Sequence, residues 1–122
     1  MTDLTQRLLA ARVSGDYSPA FLAGALDLGQ ALDLQLDVLQ EHLDGGKTVG
    51  GWKVGLTSEA SRTRLGADER PFGFVLAERT LASGDTVDSS AVLGLSVETE
   101  MCFTVGTDIG NTDITPDEIF DY

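Results

Sequence analysis

The sequence predicts an α+β chain, with helices in the first third and a β-rich remainder. Two observations carry this. Leucines recur at helical spacing up to Gly45-Gly46, and beyond that point short apolar runs alternate with glycine-bearing turns. The length of 122 residues fits one domain with a sizeable core.

Leu4, Leu8, Leu9 and Val13 share one face of a helix over residues 4–13, with Thr2 or Asp3 available as cap and Ser14-Gly15-Asp16 as stop. Ser18-Pro19 offers a turn or a second cap. The best helix follows. Leu32, Leu36, Leu39 and Leu43 fall at i, i+4, i+7 and i+11, while Asp33, Asp37, Gln40 and Asp44 occupy another face. Asp27 is the expected N-cap, and Gly45-Gly46 ends the helix. The run Gly51-Trp52-Lys53-Val54-Gly55-Leu56 reads as a glycine-flanked strand. Thr57 or Ser58 caps a short helix through Leu65, which Gly66 closes. Residues 72–76 read as a second strand, and Ser83-Gly84-Asp85 as a turn. Residues 96–105, alternately apolar and polar, read as a third strand. At the end, Thr115-Pro116-Asp117-Glu118 has the form of a capping box with proline at the first helical position. A helix starting there reaches Tyr122 within about one turn, too short to hold by itself. The expectation is therefore a fragment of a longer protein. Residues 1–46 form its helical part and residues 47–122 its β-rich part.

Composition narrows the function. Lys and Arg total 8 against 20 Asp and Glu, a net charge of −12. Such a chain repels phosphate backbones and anionic lipid, so neither nucleic acid nor membrane is an expected partner. No apolar run approaches the roughly 18 residues of a membrane span. The residues before Ala11 lack the pattern of a signal peptide, so the expected location is cytoplasmic. The single cysteine, Cys102, excludes an internal disulfide and a cysteine-built zinc site.

Three segments could carry chemistry. In a strand, Glu98 and Glu100 project from one face with Cα atoms about 6.6 Å apart. Two carboxylates so placed repel unless water solvates them or a cation lies between them, and an oxygen-only pair suits Mg²⁺ or Mn²⁺. Val97, Thr99, Met101 and Phe103, on the other face, read as core. The solvated face of an edge strand shows the same spacing. Lys53 is one of two lysines and sits in an apolar strand between glycines that let a ligand approach the backbone. A lysine reaching out from a strand edge would look the same. Arg70-Pro71-Phe72-Gly73-Phe74 reads as a loop laying aromatics over a pocket, or as a turn with core aromatics. His42 reads as a cation near a helix C-terminus, Trp52 as packing, and Cys102 as a small strand residue.

In order and spacing, GGWKVGLTS, RPFGFVL, SVETEMCF and TDITPDEIF resemble the 2-keto-4-pentenoate hydratase and 4-oxalocrotonate decarboxylase branch of the fumarylacetoacetate hydrolase superfamily. The resemblance runs from about Ala31 to Phe120 and covers the N-terminal half of that family. It implies the start of a fumarylacetoacetase-like mixed β fold, truncated here. It also implies a lyase of aromatic compound catabolism, acting on the 2-oxo or 2-hydroxy-dienoate acids of meta-cleavage. Mg²⁺ or Mn²⁺ would be held by Glu98, Glu100 and a third acid beyond Tyr122. Lys53 would bind substrate or relay a proton, with Thr57, Ser58, Phe72 and Gly73 lining the substrate site, and the complete protein would form a homo-oligomer. Pro71 stands where some hydratases carry an aspartate before the Phe-Gly pair, so hydratase and decarboxylase both remain open. Two further readings stand beside these: an inactive remnant or partner subunit, and a small acidic domain with Glu98 and Glu100 merely solvated.

Overall fold

The computed structural model describes residues 3–91, 95–110 and 113–122. They fall into two compact units, Met1–Asp85 and Thr86–Tyr122.

The first unit is α+β. Helix α1 spans Asp3–Val13. A short 3-10 turn at Ala20–Leu22 leads to helix α2, Leu28–Asp44. The expected cap of α2 is present as a full capping box. The Gln30 backbone N–H donates to Asp27 Oδ1 at 2.8 Å, and the Asp27 N–H donates to Gln30 Oε1 at 3.0 Å. Gly45 caps the other end, and Gly46 takes φ 85°, a left-handed turn that only glycine adopts freely. Helices α1 and α2 join through Leu8, Leu34 and Val38, with Leu4, Leu9, Leu22, Leu26 and Phe74 packed around them. Val38 is 1% exposed. Thr5, fully buried, donates from its hydroxyl to Asp37 Oδ2 at 3.1 Å and ties the helices with a polar contact.

Strands β1 (Val49–Val54) and β2 (Phe72–Leu76) pair antiparallel as a two-stranded sheet. Val49 faces Leu76 and Gly51 faces Val75, so Gly50 is the extra residue of a bulge. A Cβ at Gly50 would sit 2.8 Å from the Ala77 Cα, which explains the glycine. Between the strands, α3 (Glu59–Leu65) starts on Ser58, whose hydroxyl oxygen accepts from the Ser61 N–H at 3.1 Å. It ends on the left-handed Gly66. All five of these elements follow local signals in the sequence.

The second unit departs from expectation. Residues 95–110 form no ladder among the described residues, so the third strand read at 96–105 is not present as a paired strand. Val97, Met101 and Phe103 are 90%, 82% and 72% exposed, which corrects their reading as core. Alternation specifies a strand only where a neighbour supplies hydrogen bonds and a cover for the apolar face, and no strand partner for residues 96–105 is present among the described residues. Among the described residues beyond 47, β structure is therefore confined to β1 and β2, less than the β-rich half expected. The unit is instead organised by turns. Ser90 donates from its backbone N–H and hydroxyl to Asp88 Oδ1, at 2.9 and 2.7 Å, before a 3-10 turn at Ser89–Ala91. The Thr115 N–H and hydroxyl both donate to Glu118 Oε2 at 2.7 Å. These bonds close the turn at 115–118, and the 3-10 turn at Glu118–Asp121 that follows has Asp117 as its cap residue with no side-chain cap hydrogen bond. No helix among the described residues is long and apolar enough to cross a membrane.

Candidate functional site

Lys53 lies on β1 opposite Gly73 of β2. Residues opposed in a ladder share a face, so the position beside the lysine carries no side chain, and Gln35 Oε1 of α2 lies 3.4 Å from where a Cβ at Gly73 would stand. Trp52 and Val54 point to the other face, opposite Phe74 and Phe72. The Trp52 and Phe72 rings lie 5.9 Å apart, and both remain about half exposed. Trp52 is therefore packed on one side only. Phe74 turns inward onto the α1–α2 core and meets His42 edge-on at 5.9 Å.

After β1 the chain turns sharply. Leu56 has φ 50°, the left-handed region that a branched side chain rarely enters. Arg62 of α3 holds this turn. Its Nη1 donates to the carbonyls of Leu56 and Thr57 at 2.9 and 3.0 Å. Thr57 and Ser58 are exposed there, and Ser58 Oγ donates to Ser61 Oγ at 2.8 Å while also capping α3. The Leu56 strain and the Arg62 clamp escaped sequence reasoning, since neither has a local signature. The first unit thus places Lys53, Thr57, Ser58, Phe72 and Gly73 along one hairpin and the turn that follows its first strand.

Glu98 and Glu100 belong to the second unit, and both are exposed. Without a ladder, the alternation that put them on one face is not imposed by a sheet. Among the described residues, no group of three or more His, Cys, Asp or Glu is arranged to hold a metal ion. The chemistry of the pair still suits a hard cation, because carboxylate oxygens are the donors Mg²⁺ and Mn²⁺ prefer. Two such donors are part of a coordination set. Glu118 is engaged in its own turn, and its hydrogen bonds from Thr115 hold its carboxyl below the usual glutamate range. Cys102 is an exposed free thiol.

Comparison with known proteins connects these segments to a group of enzymes. The chain is 31% identical over 99 residues to the TodF product hydratase of Pseudomonas putida, covering 81% of this chain and 37% of that protein. It is 29% identical over 94 residues to a 2-keto-4-pentenoate hydratase of Paraburkholderia xenovorans, 77% of this chain and 35% of the relative. A 4-oxalocrotonate decarboxylase of a Pseudomonas species is 27% identical over 104 residues, 84% of this chain and 41% of the relative. The chain therefore spans about two-fifths or less of the length of these curated relatives. No family model matches it, and no solved structure does.

Proposed function

We propose that this chain, a sequence relative of the 2-keto-4-pentenoate hydratases and 4-oxalocrotonate decarboxylases, contributes the substrate-binding hairpin and two metal-binding carboxylates of a lyase acting on 2-oxo or 2-hydroxy-dienoate acids. The observation that carries the proposal is the 31% identity to a hydratase over 81% of the chain. The local geometry supports it. Lys53 stands opposite Gly73 in the ladder, and a lysine ammonium suits a substrate carboxylate or 2-oxo oxygen. Thr57 and Ser58 offer hydroxyls on a turn that Arg62 and the α3 cap hold in place. Phe72 lies at the same strand end but on the opposite face, across from Val54, so its ring does not face Lys53.

Glu98 and Glu100 would hold Mg²⁺ or Mn²⁺ together with a further acid, and the bound ion would supply Lewis-acid stabilisation of negative charge on the 2-oxo group. Lys53 then orients the acid or passes a proton to the carbon skeleton. Addition of water and loss of CO₂ from a 2-oxo acid both require charge to be accommodated at that oxygen, so one arrangement serves either reaction. The hydratase reading comes first because the relative at 31% identity is a hydratase. The decarboxylase reading has the support of a relative aligned over 84% of the chain. Whole-protein activity, cytoplasmic location and assembly into a homo-oligomer belong to the same proposal. A Mn²⁺ titration of the full-length protein tests its metal part. Glu100→Gln is expected to abolish binding and leave the fold intact, and an unchanged isotherm overturns the assignment.

A further inference from the structure

The cations of the first unit are not spread evenly. Lys and Arg number 8 in a chain of net charge −12. Three of them, Arg12, Lys47 and Arg79, line a single cleft of about 540 Å³ together with the only histidine, His42. No Asp or Glu lines it. Its apolar wall includes Phe74, whose ring meets His42 at 5.9 Å with the planes 67° apart. Among the described residues the one ion pair here is Lys47 Nζ to Glu78 Oε1 at 2.8 Å. Among the described residues, no ion pair joins either guanidinium to a carboxylate.

We propose that this cleft, formed by the end of α1, the end of α2 and β2, binds an organic carboxylate with an apolar body, at a place separate from the Lys53 hairpin turn. Its lining contains none of Lys53, Thr57, Ser58, Phe72 or Gly73. The two guanidiniums present planar donors suited to a carboxylate, beside the Lys47 ammonium that Glu78 already holds. The Phe74 wall gives the rest of the ligand an apolar surface, and the volume is that of a small-molecule site. Clustered like charges repel one another, and an anion among them removes that cost. His42 reports the same field. Burial first, then Lys47 and Arg12, press its imidazole below the ordinary range, against a smaller opposing pull from Glu78.

Calorimetric titration of the full-length protein in metal-free buffer at low ionic strength tests this, using benzoate, inorganic phosphate and benzyl alcohol as probes. Benzoate is expected to bind, phosphate to bind more weakly, and benzyl alcohol to give no saturable heat. The double variant Arg12→Gln/Arg79→Gln should weaken benzoate by roughly tenfold or more. Arg12→Lys/Arg79→Lys should keep most of the affinity, and Lys53→Ala should leave it unchanged. Absent benzoate binding, equal affinity in the Gln double variant, or phosphate binding as tightly as benzoate each overturns the proposal. So does loss in Lys53→Ala alone, which places the acid at the hairpin. The proposal does not depend on the lyase reading, since neither Glu98, Glu100 nor a metal enters it.

Discussion

Adjacent glycines on β1 should respond oppositely to the same substitution. Gly50 is the bulge residue, and a Cβ there would lie 2.8 Å from the Ala77 Cα, 3.0 Å from the Ala77 N and 3.0 Å from Thr80 Oγ1. Two of these neighbours are backbone atoms, so relief requires the 3-10 turn at Ala77–Arg79 to move. That turn is tied back by the Ala77 N–H, which donates to the Thr48 carbonyl at 2.9 Å. Overpacking of this kind costs about 1–3 kcal/mol. Gly51 has nothing within 4 Å of its virtual Cβ. Alanine there meets no obstacle and restricts the unfolded chain, a gain of about 0.4–1 kcal/mol. The two variants should therefore differ by about 1.5–4 kcal/mol, about one to nearly three decades in the unfolding constant. Urea unfolding followed by tryptophan fluorescence is the assay, since Trp52, the only tryptophan, neighbours both sites. Gly50→Ala should lower the midpoint and Gly51→Ala hold or raise it, with slopes unchanged. Equal midpoints for the two variants would refute the close-approach argument.

Asp27→Ala removes the carboxylate that accepts from the Gln30 N–H, leaves the Asp27 backbone N–H to Gln30 Oε1 bond possible, and should cost about 1 kcal/mol, read from the same urea curves. Glu78 is held below the usual glutamate range chiefly by its hydrogen bond from Lys47. A depressed carboxylate stabilises the fold above its unfolded pKa and loses that contribution as pH falls through the folded one. The stability gap between wild type and Glu78→Gln should therefore be present at neutral pH and close on acidification below the glutamate range. A gap that persists in acid contradicts the pairing. The lowered His42 carries the same sign. Stability should fall as pH drops below the ordinary imidazole range, and His42→Gln should remove that part of the acid-side loss in thermal melts across pH 5 to 7.5. Lys53→Ala should reduce turnover of the full-length protein far more than it shifts the melting temperature, and equal turnover would reduce Lys53 to a surface residue.

What the sequence made legible was local. Leucine spacing, the Asp27 and Ser58 caps and the Gly45-Gly46 and Gly66 stops place α1, α2 and α3. Each of these signals acts over a few residues and does not wait for tertiary contacts. Two short apolar runs likewise mark β1 and β2, while their antiparallel pairing is set by the structure. The strand read at residues 96–105 shows the limit. Its alternation describes a face that wants covering, and Val97 and Met101 lie exposed with no paired strand beside them among the described residues. The orientation of Glu98 and Glu100 was inferred from that strand and loses its support with it. The cationic cleft was illegible for another reason. Arg12, Lys47 and Arg79 are far apart in the chain, and only the packing of α1 and α2 against β2 gathers them. His42, read as a helix-terminal cation, gains its role from the same packing against Phe74.

The most direct test of the lyase reading is to follow the ultraviolet absorbance of 2-hydroxypenta-2,4-dienoate with the full-length protein. Wild type and Glu98→Gln/Glu100→Gln are compared, each with Mg²⁺ and after metal removal. The account predicts that wild type consumes the dienoate only when the metal is present, and that the double variant is inactive while melting normally. Consumption that survives both metal removal and the loss of the two carboxylates, or no consumption of this or any related 2-oxo acid by the metal-loaded protein, would contradict it.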